Sequence, residues 1–371
     1  MKILFIGSRL FDDVSYYCKE NNIISILTES NENAPNLEDA IKYYIVPRGM
    51  EEPKKIAIKE KVDGVIPLIG IDPPLIDVAQ LKEDLKKENI RVLISNPKTV
   101  DLCSDKIKTK KFFQKNNIPT PKSKILKKTS NFDDIQYPVV LKQGFGQGGK
   151  DIKICRNKQD IQEYFKHFNE ALCEEFIEGS EISIEVSCWN NTYYPIAPIY
   201  KGETSLEGTH PISRIRYGPV KIEGLQNERI YKEAKNIAKK LNAEGIIDID
   251  LIYSKKYDKL YAIEVNTRVS GTRYLSLATT GINPLTNLIK MITGDFSEEN
   301  IKKLHKNYSS LEVPIKNYHG PELNKPLKDF INKQYIIHGP KDYQRITIRG
   351  KSDEECMEIL KKLKEKHYIC E

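Results

Sequence analysis

Residues 141–151 read LKQGFGQGGKD and place four glycines, Gly144, Gly146, Gly148 and Gly149, between two apolar runs. Gly144, Gly146 and Gly149 satisfy the spacing G-x-G-x-x-G, while Gly144 with Gly149 and Lys150 satisfies most of a Walker A loop. Both motifs require a helix directly after the loop, because the helix N-terminus receives the phosphates. Here the loop runs into DIKIC, residues 151–155, whose polar and apolar residues alternate as in a strand. A Walker A loop also needs Ser or Thr after its lysine, and position 151 is Asp. What remains is strand, glycine loop, strand. YPVVLKQ (137–143) and DIKIC form a hairpin whose tip can bring backbone N–H groups close to phosphate oxygens. A long hairpin loop with no ligand fits the glycines equally well. Lys142, on the entering strand, favours the phosphate because it sets an ammonium beside the same site.

Further along, IIDIDLIY (246–253) and LYAIEVN (260–266) flank the turn SKKYDK. Side chains alternate along a strand, so Asp248 and Asp250 share one face, as do Glu264 and Asn266. Paired as a hairpin, they gather oxygen donors suited to Mg2+ held jointly with phosphate. An ordinary hairpin with a wet acidic face gives the same pattern. TRVSGTR, residues 267–273, then supplies Arg268 and Arg273, whose guanidinium groups can grip a carboxylate or a phosphoryl group bidentately.

The first ~95 residues alternate short apolar strands with helices: KILFIGS, SYYCKENN, IISILTES, VDGVIPLI, IDVAQLKEDLKKEN and IRVLIS. This order predicts a parallel, doubly wound α/β unit with ligand-facing loops at GSR (7–9) and IGID (69–72). Gly7 opens no dinucleotide fingerprint. Asn96-Pro97 closes the unit. TVDLCSDKIKTKKFFQKNN (99–117) reads as one amphipathic helix with a break near Ser104. Strands with one helix fill 125–190, an irregular stretch runs from Ile199 to Val220, and NERIYKEAKNIAKKLN is a strong helix. The last ~70 residues, with YQRITIRG and SDEECMEILKKLKEK, form a small α+β unit.

The 371 residues are 39% hydrophobic and 30% charged, and no apolar run approaches the ~20 needed to cross a bilayer, so a cytoplasmic protein is expected. Seven cysteines from Cys18 to Cys370 contain no C-x-x-C pair and read as reduced thiols. The net charge of +7 comes from lysines scattered among acids; solvated lysine faces explain it best, a phosphorylated substrate also suits it, and neither nucleic acid nor membrane is an expected partner. Six histidines show no metal spacing.

Lysine-bearing helix, lysine and glycine hairpin, CEEFIEGSE (173–181), and then Asp followed by Glu-x-Asn-x-Arg make an ordered set. From about Asn96 to Gly294 this set resembles the ATP-grasp superfamily, in its carboxylate–amine ligase type and the branch of the carbamoyl phosphate synthase large subunit and biotin carboxylase. IEVNTRVSGTR (263–273) is the most specific piece. The resemblance implies an α/β and α+β architecture: an N-terminal doubly wound domain over 1–96, a two-lobed ATP-grasp region over 97–298 with a lid at about 122–190, and a C-terminal α+β unit over 299–371. It implies that Lys106 and Lys142 are the nucleotide lysines and that Gly144, Gly146, Gly148 and Gly149 close over the β- and γ-phosphates. In the same way, Glu174, Glu175, Phe176 and Ile177 would frame the adenine, with Glu181 on the ribose. Asp250, Glu264 and Asn266 would hold two Mg2+ ions, or Mn2+ in their place, although the family more often has Glu where Asp250 stands. Arg268 would hold an acyl phosphate.

The implied activity is ATP-dependent activation of a small carboxylate and its joining to an amine, with amino-acid-like substrates. A carboxyphosphate- or carbamoyl phosphate-forming enzyme and a nucleotide-binding module remain as alternatives, and a homodimer fits the family. In YKGETSLEGTHPISRIRYGPVK (200–221), Lys201, Glu203, His210, Arg214 and Arg216 mix charges as a substrate pocket does, and an exposed charged loop does so too. Arg214, with Arg216 and Arg273, is assigned to the substrate.

Overall fold

The computed structural model describes residues 1–146, 149–207, 214–320, 330, 333–339 and 344–370. The chain begins with β1 (Lys2–Ile6), α1 (Asp12–Glu20), β2 (Ile24–Glu29), β3 (Lys42–Ile45), α2 (Glu51–Glu60), β4 (Gly64–Pro67), α3 (Leu75–Lys86) and β5 (Arg91–Val92). The strands form a parallel sheet in the order β3-β2-β1-β4-β5. Parallel strands are covered on both faces, and Ile3, Leu4 and Phe5 are fully buried accordingly. The doubly wound unit is therefore as expected, with β3 and α2 added. KYYI is a short, mostly exposed edge strand.

The helix expected over 99–117 is interrupted next to Ser104, where the break was expected, and it starts earlier, at Pro97. Asn96 caps α4 (Pro97–Ser104) by accepting from the Thr99 N–H at 3.0 Å. Asp105 then turns extended and caps α5 (Lys106–Lys115), accepting from the Ile107 and Lys108 N–H groups. A small antiparallel sheet follows from β6 (Ser123–Lys127), β7 (Val139–Lys142), β8 (Lys153–Cys155), α6 (Lys158–Tyr164) and β9 (Glu170–Glu175), ordered β6-β9-β7-β8. Leu141, Cys155 and Ile161 are its fully buried centre.

The rest builds one large antiparallel sheet and its helices: β10 (Ser180–Trp189), β11 (Thr192–Glu203), β12 (Arg216–Gly218), α7 (Asn227–Lys240), β13 (Gly245–Ser254), β14 (Lys259–Asn266), α8 (Arg273–Thr280), α9 (Pro284–Thr293), α10 (Glu298–Leu304), β15 (Ser309–Pro314), β16 (Asn317–Tyr318), β17 (Tyr335–His338), β18 (Arg345–Gly350), α11 (Asp353–Glu365) and β19 (Ile369–Cys370). Its order is β14-β13-β10-β11-β12-β15-β18-β17, with β16 and β19 paired apart. The C-terminal strands thus extend the central sheet.

Along β10 the two faces separate by chemistry. Ile182, Ile184, Val186 and Cys188 join the apolar core under α7. Ser183, Glu185 and Ser187 point the other way, and the last two reach Ser276 of α8 and Asn287 of α9. That polar face carries the candidate site. The small sheet is held against the large sheet at both of its ends. On the way in, Pro119 O accepts from the Ala262 N–H and the Thr120 hydroxyl donates to Ala262 O, both at 2.7 Å. On the way out, Gly179 is fastened to Thr204 by two hydrogen bonds and lies so close to β13 that a Cβ would stand 2.1 Å from Tyr253 O. Among the described residues no helix is long and apolar enough to cross a membrane.

Candidate functional site

The hairpin register sets Asp250 opposite Glu264 and Asp248 opposite Asn266. On the other side β10 sets Ser183 opposite Asp250 and Glu185 opposite Asp248. Period two therefore stacks four carboxylates and an amide across three strands. Their crowding shows in the protonation equilibria. Burial and then the charge of Asp250 raise the Glu264 carboxyl, while Lys106, Lys142 and Lys201 pull it back. Burial, followed by Asp250, pushes Asp248 up to about 6 against a hydrogen bond from Ser183 at 2.6 Å. Glu185, fully buried, is pushed to about 8 by burial and by Asp248, although Ser270 N–H and Ser276 Oγ donate to it.

The cations come from other elements. Lys201 of β11 pairs with Asp250 at 2.7 Å. Lys106, first residue of α5, donates to Gly146 O through its ammonium and to Gly144 O through its N–H at 2.8 Å, so the start of this helix is bonded to the glycine loop. Gly146 and Gly149 have φ of 117° and 79°, left-handed values that favour glycine. Gly148 lies outside the described residues. Lys142 leaves β7 towards Glu174 at 2.7 Å, and its pKa is raised by Glu174, Glu264 and Glu181 against the cost of burial. Lysines of α5 and of the small sheet thus lie near enough to the hairpin acids to act on the Glu264 charge.

Glu174 and Glu175 end β9. The Glu174 carboxylate is turned inward between Lys142 and the buried Lys110. Glu175 accepts from Lys122 N–H at 2.8 Å, and Phe176 donates its N–H to Pro138 O at 3.2 Å; Ile177 is buried. Glu181 pairs with Arg214 at 2.5 Å. Arg268 reaches from the end of β14 to Asp72 at 2.6 Å, in the expected IGID loop. Two arginines are committed elsewhere. Arg273 pairs with the buried Asp13 of α1 at 2.7 Å, and Arg216 joins Arg345 and His338 around the fully buried Glu312. Glu203 accepts from Tyr200 and Ser180. His210 lies outside the described residues.

Lys110, Glu185 and Asp13 escaped the sequence reasoning, and Asp72 entered it only as part of the IGID loop. Glu185 carried a signal: the alternation in EISIEV puts it on the face of Ser183.

A model of the ATP-grasp domain matches residues 103–272. A Methanobrevibacter smithii protein named carbamoyl-phosphate synthase is 54% identical over 359 residues, covering 96% of this chain and 98% of that protein. The chain belongs to the ATP-grasp family. It is an ADP-forming carbon–nitrogen ligase of that family, whose enzymes use ATP with Mg2+ or Mn2+. The carbamoyl phosphate synthase large chain of Clostridium acetobutylicum is 24% identical over 85% of this chain, which spans 32% of that relative. The fold of this ATP-grasp protein superposes on the crystal structure of N5-carboxyaminoimidazole ribonucleotide synthetase from Thermotoga maritima with a TM-score of 0.74 at 18% identity, covering 100% and 98% of the two chains.

The donor set fits the family's metal. Among the described residues no three His, Cys, Asp or Glu side chains are placed to hold an ion by themselves. Asp250, Glu264 and Asn266 supply two carboxylates and an amide, an incomplete oxygen shell of the kind that nucleotide phosphates fill.

Proposed function

We propose that this ligase transfers the γ-phosphoryl group of ATP to a small carboxylate and joins the resulting acyl phosphate to an amine, with amino-acid-like substrates. The observation that carries this is the convergence of Lys106, Lys142 and Lys201 on Glu264 and Asp250 from three separate elements. A carboxylate and a triphosphate repel each other, so positive groups must cover the γ-phosphoryl before a carboxylate oxygen can attack phosphorus and ADP can leave. Lys106, Lys142 and the N–H groups of the glycine loop answer that need. Asp250, Glu264 and Asn266 would hold Mg2+, two ions in this reading, which adds charge neutralisation at the same phosphates.

In the second step the amine nitrogen attacks the acyl carbon, phosphate departs and the nitrogen loses a proton. In this reading Arg268 leaves Asp72 to hold the acyl phosphate. Arg214 is assigned to the substrate carboxylate, while Arg216 and Arg273, engaged by Glu312 and Asp13, shape the surrounding pocket. Glu175, Phe176 and Ile177 frame the adenine, and Glu181 takes the ribose. Residues 1–96, 97–298 and 299–371 serve as the domains of a cytoplasmic homodimer.

The test is incubation with ATP, Mg2+ and pooled amino acids, with ADP and product mass followed together. ADP release that needs both a carboxylate and an amine supports the proposal, and Glu264→Gln then abolishes turnover. Absence of any conjugate across a broad panel overturns it. The Methanobrevibacter smithii relative favours a second reading, formation of carboxyphosphate. Its signature is ATP cleavage stimulated by bicarbonate with no amino acid present.

A further inference from the structure

Lys110 sits one turn beyond Lys106 on α5, the spacing that puts two residues on one side of a helix. Lys106 reaches the glycine loop, whereas Lys110 is turned inward and only 2% exposed. Its ammonium touches Glu174 Oε1 at 2.5 Å and Thr120 Oγ1, and the Thr120 hydroxyl donates onward to Ala262 O. Glu174, likewise 2% exposed, gives its other oxygen to Lys142 at 2.7 Å. One buried carboxylate thus serves two ammonium groups. Its carboxyl is held below the ordinary range by both lysines in spite of burial.

A buried ion pair needs one cation for each anion, and removing a partner leaves a charge stranded out of water. If Glu174 had Lys142 alone, Lys142 could turn towards phosphate only by stranding Glu174. With Lys110 in place, Glu174 stays compensated whichever way Lys142 points. We infer that Lys110 is a positioning residue: its contact with Glu174 keeps that carboxylate compensated, so that Lys142 is free to leave it for the β- and γ-phosphates of the nucleotide. The inference rests on the proposed nucleotide role of Lys142.

The experiment compares equilibrium binding of ATP and AMP to the full chain, since only ATP presents the phosphates that Lys142 would reach. Lys110→Met is expected to weaken ATP by about ten- to a hundredfold with AMP nearly unchanged. Lys110→Arg keeps the charge and restores ATP binding. The deciding variant is Lys110→Met combined with Glu174→Gln: a neutral amide in place of the carboxylate no longer retains Lys142, so the ratio of ATP to AMP affinity recovers. If the double variant is as defective as Lys110→Met, or if ATP and AMP weaken together in Lys110→Met, the inference is overturned. Lys142→Met separates the two levels. Unchanged ATP binding there removes the nucleotide role of Lys142 and the inference with it. A loss there without a loss in Lys110→Met refutes the role of Lys110 alone.

Discussion

Replacing Glu185 by Gln is expected to change how stability depends on pH. Glu185 is fully buried on β10, its neighbour across the strands is Asp248, and its carboxyl is pushed from 4.5 to about 8, chiefly by burial and then by the Asp248 charge. The folded protein therefore keeps a proton that the unfolded chain has released. Since the folded state binds more protons, stability falls as pH rises from about 4.5 to about 8 and is level above. At about 1.4 kcal/mol per pH unit the full shift amounts to roughly 5 kcal/mol. Buried sites respond with an effective dielectric well above that of dry protein, so about half of this is expected in a denaturation experiment.

Gln mimics the protonated carboxyl and keeps an oxygen for the Ser270 N–H. Urea unfolding in EDTA from about pH 5 to pH 8.5 gives the comparison. The variant should match the natural protein near pH 5 and exceed it by about 2–3 kcal/mol near pH 8. Parallel curves across this range would refute a protonated Glu185.

Gly179→Ala would put a Cβ 2.1 Å from Tyr253 O, a backbone atom that cannot swing aside; a loss of about 1–3 kcal/mol in thermal unfolding is expected. Arg273→Ala strands the buried Asp13, whose carboxylate then keeps, among the described residues, the Tyr274 hydroxyl. A loss of about 3–5 kcal/mol should follow, measured by urea unfolding. If either variant unfolds like the natural protein, the corresponding contact does not carry the stability assigned to it.

Much of the site was legible because strand alternation is a local signal. Alternation put Asp248 with Asp250 and Glu264 with Asn266, a hairpin across the turn brought the two pairs together, and the register agrees. The glycine loop was legible for the same reason, since DIKIC alternates where a helix would not. Lys110 was not. It stands among six lysines between Lys98 and Lys115, and its burial depends on Glu174, far along the chain on another sheet. Arg216 and Arg273 show the converse. The carboxylates they pair with, Glu312 and Asp13, come from distant segments and leave no local trace. Nor could the last residues announce their sheet. β15 completes β12 through Ser310–Glu312, and no local periodicity specifies such a partner.

The two tethers of the small sheet have a mechanical meaning. Pro119–Thr120 is hydrogen-bonded to Ala262 of β14, and Gly179 is hydrogen-bonded to Thr204, just past the end of β11, while it packs against Tyr253 of β13. Both anchors lie on or against the strands that present Asp250 and Glu264, so the small sheet and the acids share one frame. A substitution that moved one anchor would misalign the glycine loop with those carboxylates without touching either of them.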